Sequence, residues 1–159
     1  MTRPAQPSTW QVPGGAVDCH AHVFDPARFP YSAGRSYTPP PATAAQLLRM
    51  QDRLGLARVV LVQPSVYGTD NRCLLDALAQ LGSRARGVAV VGADATRAQL
   101  EDLHAAGVRG LRLNHRVGVQ APLAEPLERL ALQVADLPLL IQVYAAESSL
   151  LACAPLLRQ

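Results

Sequence analysis

From residue 16 onward, short β-branched runs alternate with longer stretches of helical periodicity, the pattern of successive βα units around a parallel sheet. Residues 16–22 read as the first strand, and 58–63, 87–91, 110–114 and 137–144 as four more. Between and after them the spacing predicts helices over 43–54, from Asp70 or Asn71 to near Gly82, over 96–106, over most of 122–136 and over 147–157. Thr43 is placed to cap the first helix, and Gly55 and Gly107 to close two of them. Residues 1–15 read as an N-terminal tail. The stretch 24–41, rich in proline, glycine and aromatics, is far longer than an ordinary connection and therefore reads as a functional loop.

Five such units fit either an open doubly wound sheet or part of an eight-stranded (βα)8 barrel. Neither a GxGxxG nor a GxxxxGK[ST] stretch follows the first strand, so the nucleotide-binding open sheets lack their best marker. The conspicuous polar residues are His20 and His22, Gln63 and Ser65, Arg112 and Asn114, and Tyr144. All sit at the C-terminal ends of different predicted strands, where barrel enzymes carry their chemistry.

Composition narrows the picture. All 15 basic residues are arginine, so lysine Schiff-base chemistry and a carboxylated lysine bridging two metals are excluded for these residues. A net charge of +3 with dispersed arginines argues against a nucleic-acid surface, and no apolar run reaches the ~20 residues of a membrane helix. Three widely spaced cysteines without a CxxC pair or a secretory leader point to reduced thiols and a cytoplasmic protein.

The most informative motif is Asp18-Cys19-His20-Ala21-His22. Alternation along a strand sends His20 and His22 to one face, where they can converge on one metal ion or one substrate, and sends Cys19 to the opposite face, into packing. The same alternation on the fourth strand turns Leu111 and Leu113 one way and Arg112 and Asn114 the other. A guanidinium is thus aimed into the expected mouth, where its fork of donors matches a carboxylate.

With these residues in hand, the chain resembles the amidohydrolase superfamily, in its branch of 2-pyrone-4,6-dicarboxylate lactonases and related sugar-lactone hydrolases. The matching stretches are VDCHAHVFDP at 17–26, FPYSAGRSYTPP at 29–40, VQPSVYGTDN at 62–71, RARGVAVV at 84–91 and LHAAGVRGLRLNH at 103–115. The resemblance implies a deformed (βα)8 barrel that hydrolyses a cyclic ester carrying carboxylates without a metal. It implies catalytic roles for His20 and His22 and substrate contacts for Tyr37, Ser65, Arg112 and Tyr144. The family's second arginine falls on Gly118, and Arg116 is the nearest substitute. Family barrels need about 250 residues, so residues 1–159 are expected to form one incomplete barrel domain, truncated to about five βα units. The general-base aspartate is then expected on a later strand, and these residues alone are expected to be inactive.

The expected ligand is a small anionic lactone or carboxylated ring, with no cofactor. Two other readings stay open. One is a zinc-dependent decarboxylase-type relative with His20 and His22 as ligands, and the other is a non-catalytic barrel fragment that pairs with another chain. A complementing fragment or a homo-oligomer would then supply the missing wall.

Overall fold

The computed structural model describes residues 11–115 and 122–158. Five parallel strands, β1 (Val17–Ala21), β2 (Arg58–Val62), β3 (Ala85–Ala89), β4 (Val108–Asn114) and β5 (Leu140–Tyr144), lie side by side in chain order. The intervening helices are α1 (Ala44–Leu54), α2 (Arg72–Leu81), α3 (Arg97–Ala105) and α4 (Ala124–Val134), and α5 (Glu147–Ala152) follows β5. This order decides between the two architectures. Right-handed crossovers that always step the same way keep every helix on one face, whereas a doubly wound sheet reverses direction and places helices on both. The result is a curled half-barrel with helices outside and a concave face left open.

Packing follows the strand alternation. Val59 and Leu61 of β2, Ala85 and Ala89 of β3, and Leu111 of β4 are buried against Leu74, Ala77 and Leu78 of α2, Leu100 of α3 and Leu130 of α4. Gly87 is fixed by this layer, because a Cβ there would meet Leu78 Cδ1 at 2.8 Å. A smaller cluster of Leu123, Leu127 and Cys153 seals the β5 end beneath Leu113, Ile141 and Val143. The partner residues of each strand, among them Val60, Arg86, Arg112, Gln142 and Tyr144, therefore face the concavity.

Several boundaries differ from the sequence reading for local reasons. α1 and α3 begin one residue after Thr43 and Thr96, each of which forms a capping box with the glutamine three residues on, Gln46 and Gln99. β3 starts at Ala85, two residues early, because the 3-10 turn Gly82–Arg84 delivers the chain straight into the sheet and Arg86 occupies the open face. β4 starts at Val108, and an irregularity in its pairing with β3 absorbs the extra length. β5 starts only at Leu140, since Leu137 and Leu139 are held in turns by the carbonyls of Val134 and Leu137. The last helix stops at Ala152, three residues before Pro155, and a 3-10 turn Leu156–Arg158 follows.

Candidate active site

His20 lies near the end of β1 and His22 one residue beyond it. His22 Nδ1 lies 2.7 Å from the carbonyl of Val62 on the neighbouring strand end, so Nδ1 carries the proton and Nε2 is left as an acceptor. Burial pushes the His22 pKa below its ordinary value, and the nearby His20 and Arg112 push the same way, while the Val62 bond opposes. His20 packs edge-on against His22 with ring centroids 5.0 Å apart. The pair do converge, as alternation requires. Cys19 does not follow the packing expectation: it is exposed, its thiol 3.8 Å from the Val17 carbonyl, on the edge strand where the pairing with β2 shifts register between Asp18 and Ala21.

Arg112 emerges from β4 beside this pair. Its Nη1 is 3.5 Å from His20 Nε2, and its guanidinium carbon stands 5.1 Å from the centre of the Tyr144 ring at the end of β5. Partial burial lowers its pKa, opposed by Tyr144 and Tyr37, yet a guanidinium stays charged. Among the described residues no carboxylate lies within 4.0 Å of it, and its Nε is buried without a hydrogen-bond partner. Gln142 pairs with Arg112 across the β4–β5 ladder and presents a buried, unpartnered Oε1 at the same level. A half-buried cation beside open acceptors and donors is a place for an anionic, oxygen-rich ligand.

The long loop covers the other side of the mouth. Its ends are pinned by two 2.8 Å backbone bonds between Phe24 and Ala42, and Ser32 N–H donates to the Val66 carbonyl at 2.8 Å. Beneath it, the Tyr67 hydroxyl accepts from Asp25 N–H at 2.9 Å and its ring lies 5.1 Å from that of Tyr31. Burial pushes the Tyr67 pKa up, so the ring is a neutral strut. Between loop and sheet lies a cavity of about 230 Å³, lined by Arg35, Ser36, Gln63, Ser65 and Asn114 together with Gly34, Gly68 and Val90. Gln63 is fully buried and donates to the carbonyls of Gly68 and Asp70, leaving its Oε1 without a partner.

Of the residues singled out in the sequence, His20, His22, Arg112 and Tyr144 form one cluster, with Tyr37 close enough to act electrostatically on Arg112. Ser65 instead opens a 3-10 turn, Ser65–Tyr67, and lines the adjoining cavity beside Asn114. Arg116 lies outside the described residues. Sequence reasoning missed Arg35 and Gln142. The second had a readable signal, a lone amide in the apolar strand two residues before Tyr144; the first lay within the matched loop stretch but nothing in its spacing set it apart.

The zinc alternative meets this geometry poorly. Two histidines supply half of a tetrahedral set, no third His, Cys, Asp or Glu joins them among the described residues, and a guanidinium points at His20 Nε2.

The amidohydrolase family profile matches residues 17–159. The chain belongs to the amidohydrolase family. It is 48% identical over 112 residues to a 2-pyrone-4,6-dicarboxylate hydrolase of Comamonas testosteroni, a match covering 70% of this chain and 36% of the relative. It is 41% identical over 107 residues to a 4-sulfomuconolactone hydrolase of Rhizobium radiobacter, covering 67% and 36%. The crystal structure of a probable 2-pyrone-4,6-dicarboxylic acid hydrolase from Acinetobacter baumannii with citric acid bound superposes with a TM-score of 0.83 at 30% identity, over 91% of this chain and 55% of that one. The chain thus spans about a third of the length of these curated relatives and about half of the solved structure.

Proposed function

We propose that residues 1–159 form the substrate-binding part of a lactone hydrolase acting on a carboxylated ring of the 2-pyrone-4,6-dicarboxylate kind. The observation that carries this reading is Arg112: a charged, half-buried guanidinium with no carboxylate partner among the described residues, set in the concave mouth between His20 and Tyr144. Tyr37 and Ser65 are assigned to the same ligand as hydroxyl donors, Arg112 to a carboxylate, and Tyr144 to the ring face. Relatives named for hydrolysis of a pyrone dicarboxylate and a sulfonated lactone, and one solved with a tricarboxylic acid, support an anionic substrate.

In this reading His20 and His22 contact the lactone. His22, with Nδ1–H committed to Val62, offers Nε2 as an acceptor, and its neutral form is favoured by burial. Ring opening requires a base within hydrogen-bond reach of the attacking water. Asp18 Oδ1 accepts from His20 N–H at 3.1 Å and Asp25 lies 3.7 Å from Arg28, and the family resemblance assigns the base to neither. We assign the base to a strand beyond these five, and treat residues 1–159 as one unit of a barrel closed by further strands. The test is to incubate residues 1–159 with 2-pyrone-4,6-dicarboxylate while following the pyrone absorbance and the binding isotherm. Saturable binding without ring opening is expected. Absence of binding contradicts the substrate assignment, and enzyme-like turnover contradicts the placement of the base.

A further inference from the structure

We propose that Arg35, on the long loop, is a specificity-determining residue that recognises a second anionic group of the ligand, across the mouth from Arg112. The inference deepens the substrate reading above and rests on it. Three contacts fix the Arg35 side chain: Nε donates to Thr38 Oγ1 at 2.8 Å, Nη1 donates to the Ser32 carbonyl at 3.0 Å, and the guanidinium lies 5.8 Å from the centre of the Tyr31 ring. Ser32 and Tyr31 are themselves tied down, Ser32 to Val66 and the Tyr31 hydroxyl to the Pro39 carbonyl. The guanidinium is thus held rather than waving in solvent, and little ordering entropy is lost when it binds.

All three contacts leave Nη2 without a protein acceptor among the described residues, and Arg35 forms no ion pair there. Among the described residues that line the cavity there is no carboxylate: the other polar side chains are Ser36, Gln63, Ser65 and Asn114, so Arg35 is the single formal charge among them. Ser65 adds a hydroxyl, and the unpartnered buried oxygens of Gln63 and Asn114 add acceptors for ligand hydroxyls or water. Asn114 lies two residues beyond Arg112 on the same face of β4, which puts the cavity about 7 Å along the strand from the Arg112 position. A ring bearing two carboxylates in meta relation can meet one cation at Arg112 and the other at Arg35. A ring bearing one carboxylate meets only Arg112.

The experiment compares two probes on residues 1–159 by calorimetric or NMR titration: 2-pyrone-4,6-dicarboxylate and 2-pyrone-6-carboxylate. Arg35→Gln is expected to weaken the dicarboxylate about tenfold, the size of one lost charge-assisted pair, and to change the monocarboxylate less than about twofold. Arg112→Gln is expected to weaken both. An equal effect of Arg35→Gln on the two probes, or no effect on either, overturns the assignment of Arg35 and leaves the Arg112 site standing. A selective Arg35→Gln effect with Arg112→Gln silent keeps Arg35 and removes the substrate reading at Arg112. No binding of the dicarboxylate to the unsubstituted chain contradicts both, since every residue invoked lies within it. Circular dichroism of each variant, with an unchanged melting curve expected for an exposed loop substitution, separates lost recognition from lost fold.

Discussion

Arg112 and His22 carry opposite electrostatic problems, and both yield measurements. Arg112 is a cation partly out of water without a counter-charge among the described residues, a cost that a ligand carboxylate removes. Arg112→Gln is therefore expected to weaken binding of a carboxylated pyrone by about 1.5 to 3 kcal/mol, roughly ten- to hundredfold in Kd. His22 is a histidine kept neutral by burial, with its folded pKa below the ordinary 6.5. Between the two values the unfolded chain binds more protons than the folded one, so stability falls as the pH drops below about 6.5 and levels off under the lowered folded value. His22→Asn, whose amide can still donate to Val62, is expected to flatten this acid slope in urea titrations across pH 5 to 7.5. An unchanged slope would assign the acid sensitivity to other groups. Both residues were legible from strand alternation alone, because two residues on one face of a strand need no tertiary knowledge. Arg35 was not, since its direction depends on how Tyr31, Ser32 and Thr38 fold the loop around it.

At the level of elements, strand and helix order followed from periodicity, and helix starts followed from Thr43 and Thr96 because capping is local chemistry. Thr43→Ala is expected to cost about 1 kcal/mol of unfolding free energy through loss of the cap. What periodicity missed were ends set by neighbours: the early start of β3 at Ala85 and the pairing irregularity of β4 arise from contacts across the sheet. Gly110 is another such case. A Cβ there would lie 2.7 Å from Leu140 Cδ1, 2.8 Å from its Cγ and 3.1 Å from its backbone oxygen. Gly110→Ala is accordingly expected to destabilise the β4–β5 pair by about 1 to 3 kcal/mol of overpacking, read as a lower urea midpoint at unchanged slope. No change would mean that Leu140, which is largely exposed, simply swings aside.

At the largest scale, the described residues form a sheet whose outer strands β1 and β5 have no further strand paired to them among those residues, and whose concave face exposes Val17, Leu140 and Tyr144. Unpaired strand edges beside apolar surface invite association. Residues 1–159 alone are expected to show concentration-dependent mass in light scattering, whereas a monodisperse monomer over a wide concentration range would show that the edges are adequately protected. The barrel reading of the sequence rested on polar residues gathering at strand C-termini, and strand order with helices on one face bears out that architecture. The central claim is that this concave face recognises a carboxylated lactone through Arg112. It is tested most directly by following the Arg112 Nε–H resonance in residues 1–159 during titration with 2-pyrone-4,6-dicarboxylate and, in parallel, with uncharged 2-pyrone. The account predicts a saturable shift with the dicarboxylate and none with the neutral ring. A resonance unmoved by the dicarboxylate, or moved equally by both, would contradict it.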